Sequence, residues 1–226
     1  TSKIYSIAGK GKLRLGLIRS RPFRAPHYSA SLPAIIGGGG GDSIAPGEIS
    51  LAHNGILFLD EFGQMPKSVI EALRGPLEDR KVVISRLKSK LEFPASFMLV
   101  AASNPCPCGY YGEGDRCRCT PGQRRTYLSR LSGPIMDRID IQLWLHPVDT
   151  MKVVARQRNA CRCESSAEVA ARVQKARQVQ LDRFINDSIT TNAEMGNREV
   201  EKYCPLSDAC VDTLGKIMTS GALSMR

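Results

Sequence analysis

The chain contains 226 residues, which is enough for one large domain or for one domain and part of another. Its hydrophobic residues (42%) and charged residues (24%) occur in the proportions of a globular protein, and no apolar run approaches the roughly 20 residues of a membrane-spanning helix. This excludes a membrane protein, while a formal net charge of +10 favours a polyanionic partner such as nucleic acid or nucleotide phosphate.

Two segments have the pattern of buried strands. The first is the run from Gly55 to Leu59 (GILFL), and the second runs from Phe97 to Ala102 (FMLVAA). Hydrophobicity that is unbroken rather than alternating is typical of a strand covered on both faces, as in the centre of a parallel α/β sheet. Between the two runs, the apolar spacing predicts a helix that Gly75 and Pro76 kink or end.

Polar residues follow both runs. Asp60 and Glu61 come directly after the first run, and Asn104 comes shortly after the second. Ligands of open α/β sheets bind at the carboxyl ends of strands, so these side chains converge if the strands are parallel neighbours. An acidic pair there suits Mg²⁺ chemistry, in which one carboxylate holds the hydrated ion and the other orients the attacking water. The alternative is a strand that ends in two solvated acids, since such short strings also occur by chance.

A β-hairpin with a basic tip is predicted between these strands. Two short β-like runs, 81–85 and 91–95, flank a tip that carries Arg86, Lys88 and Lys90. These cations could grip the phosphates of DNA without reading its sequence. The alternative is an ordinary solvated hairpin, whose tip is rich in lysine because lysine keeps the edge soluble.

Four cysteines lie close together in the sequence: Cys106, Cys108, Cys117 and Cys119. Four thiolates at this spacing could close a tetrahedral Zn²⁺ site, although the single residue inside each pair is tighter than the usual spacing of roughly two to four. The alternative is free or disulfide-bonded thiols. The metal-type spacing favours the cytoplasm over an oxidising compartment. The surrounding arginines make the cluster a second candidate DNA contact, and they are Arg116, Arg118, Arg124 and Arg125.

The pattern changes in the last third of the chain. One more strand is predicted from the alternation of Ile139, Ile141, Leu143 and Leu145. A capping box at Ser165 and Glu168 then predicts the start of a helix, and another helix is predicted from near Ser207. We therefore expect an α/β core over residues 1–148 and a helical domain over residues 149–226.

Several motifs together resemble the magnesium-chelatase-like AAA+ ATPases and, within that family, the branch of the ComM competence proteins. They follow the family's order from about Arg21 to Arg226, and they are RPFRAPH from Arg21, GEISLAHNGILFLDE from Gly47, FPA from Phe93, NPCPCG from Asn104 and LSRLSGPIMDRID from Leu128. The resemblance implies an AAA+ P-loop-type parallel sheet core with a partial α-helical lid. It also implies ATP and Mg²⁺ as cofactors.

The resemblance assigns roles to individual residues. Asp60 and Glu61 match the Walker B pair, with Asp60 on Mg²⁺ and Glu61 polarising the lytic water. Asn104 matches sensor 1, which helps to place that water. Arg138 matches the arginine finger, and Arg226 matches the sensor 2 arginine of the nucleotide site. The hairpin stands where the family has its pre-sensor-1 hairpin, which projects into the central pore of related ring motors.

The position of Arg138 predicts an assembly. It precedes the strand predicted over 139–145, and a residue at the start of a parallel strand lies at the opposite edge of the sheet from its own chain's site. The arginine would therefore complete the site of a neighbouring subunit, and ATPase activity would require a ring, which the resemblance makes a homohexamer. The alternative is an ion pair with Asp137 or Asp140.

The sequence departs from the family in one respect. No Gly-Lys pair is followed by Ser or Thr, so the phosphate-binding loop (Walker A) and its strand, which the family carries upstream, are missing. The chain starts at Thr1, and a helical pattern still continues at Arg226. We therefore expect a fragment that is cut at both ends and inactive by itself.

The function that the resemblance implies for the parent protein is ATP-driven DNA translocation. The expected work is branch migration of recombination intermediates during natural transformation, in the cytoplasm, with single-stranded or branched DNA as the partner. One alternative is the motor subunit of a magnesium chelatase, and another is a zinc-stabilised DNA-binding module. The basic hairpin and the cysteine cluster favour DNA over chelation.

Overall fold

The computed structural model describes residues 1–9, 17–39, 44–86, 89–145 and 164–219, with the backbone alone at positions 86 and 89. Two predicted site residues, Lys88 and Arg226, lie outside the described residues, as do the side chain of Arg86 and the predicted domain boundary at 148. The chain divides into two compact units, Thr1–Leu145 and His146–Arg226.

The first unit contains short strands and short helices. The strands are β1 (Phe23–Arg24), β2 (Gly37–Gly38), β3 (Ala45–Pro46), β4 (Ile56–Leu59), β5 (Lys81–Arg86), β6 (Ser89–Pro94) and β7 (Met98–Ala101). The α-helices are α1 (Ser2–Ile7), α2 (Leu32–Ile36), α3 (Glu48–Leu51), α4 (Lys67–Ala72), α5 (Arg74–Asp79), α6 (Pro121–Leu128) and α7 (Gly133–Met136). Single 3₁₀ turns span Phe62–Gln64 and Gly114–Arg116.

The central sheet is parallel and has the strand order β1-β4-β7. The register of β4 with β7 runs from Ile56 opposite Met98 to Leu59 opposite Ala101. The two apolar runs of the sequence are therefore parallel neighbours, which is the condition that the predicted site requires. Parallel strands combined with helices confirm the predicted α/β class.

The sheet buries one face in the core of this unit. Leu57 and Leu59 are fully buried, and the helices supply the apolar side chains around them: Ile35, Ile49, Val69, Ile70, Leu73 and Ile135. On the other face Met98 is 63% exposed and Val100 is 40% exposed. The sequence predicts that both faces of these strands are covered. Within the described residues this holds for the Leu57 face, where the core cluster lies, and not for the face of Met98 and Val100.

The predicted helix before Gly75 forms and then breaks. It is α4, and a new helix, α5, starts at Arg74 directly after Leu73. Gly75 and Pro76 lie in the first turn of α5, where a proline lacks only a hydrogen bond that the helix end could not make. The predicted kink is therefore confirmed, and Pro76 is buried beneath it.

The predicted hairpin also forms. β5 and β6 pair in antiparallel fashion from Lys81 opposite Pro94 to position 86 opposite position 89. Pairing thus continues into the predicted tip and leaves positions 87–88 as the connection. Val82 and Phe93 are 3% and 6% exposed, so they anchor the open end of the hairpin, and Lys90 near the tip is exposed.

The strand predicted over 139–145 is wrong. Residues 141–145 have no regular secondary structure, and the side chains of Ile141, Leu143 and Leu145 are 77 to 86% exposed. A strand needs a partner for its backbone N–H and C=O groups, and no described segment pairs with this one. Alternation in the sequence shows that a segment can form a strand, but the partner decides whether it does.

The second unit is helical where the structure describes it. Its helices are α8 (Ser166–Arg183), α9 (Asn197–Tyr203) and α10 (Asp208–Thr219). The capping box is confirmed, since the Glu168 amide donates to Ser165 Oγ at 3.3 Å and the Ser165 amide donates to Glu168 Oε2 at 2.7 Å. Phe184 is 3% exposed and meets Tyr203 edge-to-face at 5.3 Å.

None of the described helices is long and apolar enough to cross a membrane.

A polar contact ties α4 to the loop that precedes α7. Ser132 Oγ donates to Glu71 Oε1 at 2.6 Å, and Arg74 donates to Glu71 Oε2 at 3.1 Å. These two donors, with Ser132 first, lower the pKa of Glu71. Because α7 leads directly to Arg138, this contact helps to position the segment that carries that arginine.

We expect Glu71→Gln to reduce the free energy of unfolding by about 1 kcal/mol near pH 7, because it removes the charge from both hydrogen bonds. A lowered carboxyl pKa contributes stability above the unfolded value of 4.5, and this contribution is lost as the pH falls through the folded pKa. The difference between variant and wild type should therefore shrink when the pH is lowered well below 4.5. Denaturant unfolding at the two pH values measures it.

Glu92→Gln is the matched control. Its carboxylate pairs with Lys81 at 3.3 Å, but both side chains are about half exposed, so the loss should stay below about 0.5 kcal/mol. An equal effect of Glu71→Gln at both pH values would contradict the proposed origin of its stabilisation.

Candidate functional site

The acidic pair lies in the turn that leaves β4. Asp60 is exposed, and its Oδ1 accepts a hydrogen bond from the Glu61 amide at 2.8 Å. Glu61 has φ 50° and ψ 38°, a left-handed conformation that costs a non-glycine residue on the order of 1 kcal/mol. Its carbonyl accepts from the Gln64 amide at 2.7 Å, so the 3₁₀ turn that follows holds the strained residue in place.

Strand pairing places Asn104 at the same edge of the sheet. The Ala102 amide donates to the carbonyl of Leu59 at 2.9 Å, and the Phe62 amide donates back to the carbonyl of Ala102 at 2.8 Å. The segment 102–104 therefore runs beside the turn that carries Asp60 and Glu61. Asn104 is exposed there, so three of the predicted site residues share one edge.

Helix α6 packs against the two segments that form this edge. Tyr127 is 5% exposed, and its hydroxyl lies 3.3 Å from Ser103 Oγ. A β-carbon on Gly63 would lie only 2.5 Å from that hydroxyl, so α6 touches the turn closely. Arg130 also donates to the carbonyl of Gly63 at 3.3 Å. The sequence analysis did not identify this layer, because its contacts join positions more than twenty residues apart.

Arg138 is held within its own chain. One guanidinium nitrogen donates to the carbonyl of Pro134 at 2.7 Å, and another forms an ion pair with Glu78 at the end of α5. The side chain is 14% exposed, and its Nε is buried without a hydrogen-bond partner among the described residues. The ion-pair alternative is thus realised, but with Glu78 rather than with Asp137 or Asp140.

The four cysteines converge into one cluster, as their spacing predicts. Their sulfur atoms all lie within 4.8 Å of one another. Cys106 Sγ lies 3.4 Å from Cys108 Sγ and 3.8 Å from Cys117 Sγ, and Cys108 Sγ lies 3.7 Å from Cys117 Sγ. Zn–S bonds of about 2.3 Å in a tetrahedron require sulfur separations of about 3.8 Å. The cluster therefore has the dimensions of a four-thiolate metal site.

The electrostatics of the cluster point the same way. A hydrogen bond from the Tyr110 amide is the main cause that lowers the pKa of Cys108 to about 6, whereas its neighbour Cys108 raises the pKa of Cys119 to about 11. Sulfur atoms this close cannot all be ionised unless a cation compensates their charge. The donor set thus fits a soft divalent ion such as Zn²⁺.

Glycines turn the chain between the two cysteine pairs. Gly109 and Gly112 have φ values of 85° and 95°, which residues with a β-carbon rarely adopt. Gly109 also packs against the acidic edge, since a β-carbon there would lie 3.8 Å from Asn104 Cγ. The turn that follows the first cysteine pair therefore lies close to Asn104 of the candidate nucleotide site.

Two sequence families match the chain. Residues 1–153 match magnesium chelatase, subunit ChlI, and residues 163–226 match the C-terminal part of magnesium chelatase, subunit ChlI. Together these matches cover nearly all of the chain.

Curated relatives agree with this assignment. The chain is 44% identical over 208 residues to the competence protein ComM of Haemophilus influenzae, which covers 92% of this chain and 39% of the relative. It is 46% identical over 188 residues to the uncharacterized protein YifB of Salmonella typhimurium, covering 83% and 35%. It is 38% identical over 223 residues to the uncharacterized protein Rv2897c of Mycobacterium tuberculosis, covering 99% and 43%. The chain thus spans about two-fifths of the length of these relatives.

Proposed function

Because the chain belongs to the magnesium chelatase ChlI family of AAA+ proteins, we propose that the longer protein containing it is an ATP-driven DNA translocase that works as a homohexameric ring. The observation that carries the ATPase part of the proposal is the strand register that aligns Leu59 with Ala101. That register puts the acidic pair and Asn104 at one edge of a parallel sheet, where such sheets bind nucleotides.

In this proposal three residues act at the γ-phosphate of ATP. Mg²⁺ bound together with ATP would neutralise charge on the phosphates. Asp60, exposed at the end of β4, supplies a hard carboxylate ligand for that ion. Glu61 orients the attacking water, and the strained backbone of Glu61 fixes where its side chain starts. Asn104 helps to place the same water.

The resemblance to the family, and not the predicted strand over 139–145, which does not form, assigns Arg138 to the site of the neighbouring subunit. The partner of Arg138, Glu78, is 49% exposed, so water can solvate that carboxylate if the ion pair opens. A neighbour's nucleotide phosphates, with more charge than a single carboxylate, can therefore draw the guanidinium away from Glu78. Arg226 would act as the sensor 2 arginine of the same nucleotide site.

The hairpin of β5 and β6 is the proposed DNA grip. Its open end is fixed by buried Val82 and Phe93, while Lys90 near the tip is exposed. Arg86, Lys88 and Lys90 would contact phosphates without reading bases, as a motor that moves along any sequence requires.

Similarity to a protein named for competence supports work on DNA during natural transformation. We propose branch migration of recombination intermediates in the cytoplasm, on single-stranded or branched DNA. The family name favours a second candidate, the motor subunit of a metal chelatase. The ATPase rate with added DNA distinguishes the two candidates, because only a translocase should hydrolyse ATP faster when single-stranded or branched DNA is added.

Zn²⁺ is the proposed occupant of the cysteine cluster. We expect about one zinc per chain after purification without chelators, and loss of that zinc in Cys117→Ser/Cys119→Ser, because two thiolates cannot complete the tetrahedral set. Elemental analysis measures the zinc content. Cys204→Ser/Cys210→Ser is the matched control, since both of these cysteines are exposed and lie in the other unit. Zinc that survives the first substitution, or is lost with the second, would contradict the assignment.

The ring mechanism predicts complementation between two inactive variants of the full-length protein. Glu61→Gln should keep ATP binding and assembly but lose hydrolysis, because the missing charge is needed only for chemistry. Arg138→Ala should lose roughly a thousandfold or more in hydrolysis if the residue acts as an arginine finger. Mixed rings contain some interfaces with an intact Glu61 from one chain and an intact Arg138 from the next, so part of the DNA-stimulated ATPase activity should return.

The ATPase rate of the mixture tests whether Arg138 acts across the interface between subunits. Mixtures that co-assemble without any recovery would contradict the action of Arg138 across the interface. Glu78→Gln is the control, since it removes the partner of Arg138 within the chain and should leave hydrolysis in place. Hydrolysis by wild type that DNA leaves unchanged would favour the chelatase candidate instead.

A further inference from the structure

The cysteine knuckle, which we define as residues 106–119, carries two adjacent tyrosines at its surface. Tyr110 and Tyr111 are 41% and 46% exposed. They follow the first cysteine pair directly, so the turn that closes the cluster also presents them. Large aromatic side chains exposed side by side are typical of a binding surface.

An arginine lies over one face of each tyrosine ring. The guanidinium of Arg116 lies 4.2 Å from the centre of the Tyr110 ring, and that of Arg124 lies 4.5 Å from the centre of the Tyr111 ring. Arg116 is also held by Glu113 at 2.5 Å. These cation–π contacts fix flat groups in a defined orientation, which lowers the entropy lost when another flat group stacks on them.

The surface around the tyrosines is positively charged. Four arginines and two acidic residues lie between Cys106 and Arg125, and they are Arg116, Arg118, Arg124, Arg125, Glu113 and Asp115. An open depression of about 630 Å³ adjoins Tyr110 and is lined by Cys108, Tyr110, Asp115, Arg116 and Arg118.

We propose that the cysteine knuckle binds single-stranded DNA, with bases stacked on Tyr110 and Tyr111 and phosphates contacted by Arg118 and Arg125. The proposal rests on the DNA translocase function put forward above and names where that function engages unpaired bases. Bases in a duplex stack on one another and offer only their edges, so exposed aromatic faces select a single strand. The basic hairpin, by contrast, carries no aromatic residue at its tip and suits phosphate contact alone.

Both ends of the cysteine knuckle adjoin residues of the candidate ATP site. The chain enters the knuckle from Asn104, and Gly109 packs on that residue. It leaves the knuckle through Thr120, whose hydroxyl accepts from the Gln123 amide at 3.2 Å and starts α6. Helix α6 then contacts the turn after Glu61. A DNA strand bound to the tyrosines would therefore contact a segment that is joined at both of its ends to residues of the candidate nucleotide site.

Fluorescence anisotropy of this 226-residue chain, purified with zinc, tests the proposal. The probes are an oligothymidine of roughly 20 nucleotides and an abasic oligonucleotide of the same length and charge. In about 50 mM salt, wild type should bind the oligothymidine at least about tenfold more tightly than the abasic strand. Tyr110→Ala/Tyr111→Ala should lose at least about tenfold toward oligothymidine and little toward the abasic strand.

The matched control is Tyr110→Phe/Tyr111→Phe, which keeps the rings and should bind oligothymidine within about threefold of wild type. Zinc content and circular dichroism of all variants should equal those of wild type, because both tyrosines are exposed. If the alanine variant fails to fold, the comparison of the two oligonucleotides on wild type still decides.

Several results would overturn the proposal. Equal affinity of wild type for the base-bearing and abasic strands would contradict base stacking on the tyrosines, even if DNA still binds elsewhere on the chain. Tighter binding of a 20-base-pair duplex or of oligouridine of roughly this length would overturn the single-strand or the DNA assignment. No binding by this chain would also overturn it, and the DNA-stimulated ATPase of the full-length protein would then show separately whether the translocase function survives.

Discussion

The register between β4 and β7 is the constraint on which the rest of the candidate site depends. Two backbone hydrogen bonds lock it beyond the strand ends, through the carbonyls of Leu59 and Ala102. A slip of one residue would turn Leu57 and Leu59 out of the core, so burial enforces the register. The same register fixes the segment before Asn104 beside Asp60. Hydrophobic packing on one face of the sheet thus determines the placement of polar groups at its edge.

Features encoded within a few residues could be predicted from the sequence. The unbroken apolar runs predicted β4 and β7 as strands, although β7 is largely exposed rather than buried. The capping box at Ser165 predicted the start of α8, and the paired cysteines predicted a cluster whose sulfurs meet. In each case the interaction is local or follows from side-chain type alone. Even the convergence at the sheet edge needed only one further assumption, that the two strands are parallel neighbours.

Features that depend on distant partners could not be predicted. Arg138 pairs with Glu78, which lies 60 positions away, and the nearer aspartates offered an equally reasonable partner. Residues 139–145 alternate like a strand, yet the described chain gives them nothing to pair with. The stacking of Arg124 on Tyr111 depends on how the knuckle folds back toward α6. Sequence patterns record what a segment can do, whereas these contacts depend on which neighbour reaches it.

The knuckle lacks a core of its own, and this makes the proposed zinc site and the surface of the knuckle interdependent. Of its four cysteines only Cys106 is buried, and glycines with positive φ link the two pairs. Apolar packing therefore does not hold the two tyrosines, whose rings contact Arg116 and Arg124 instead, and in the proposal sulfur ligation adds rigidity to the loop that carries them. A loop held in this way, joined to Asn104 at one end and to α6 at the other, can transmit a contact made at its tip. A flexible loop of the same length would change its own conformation on binding, and the acidic pair would not be affected.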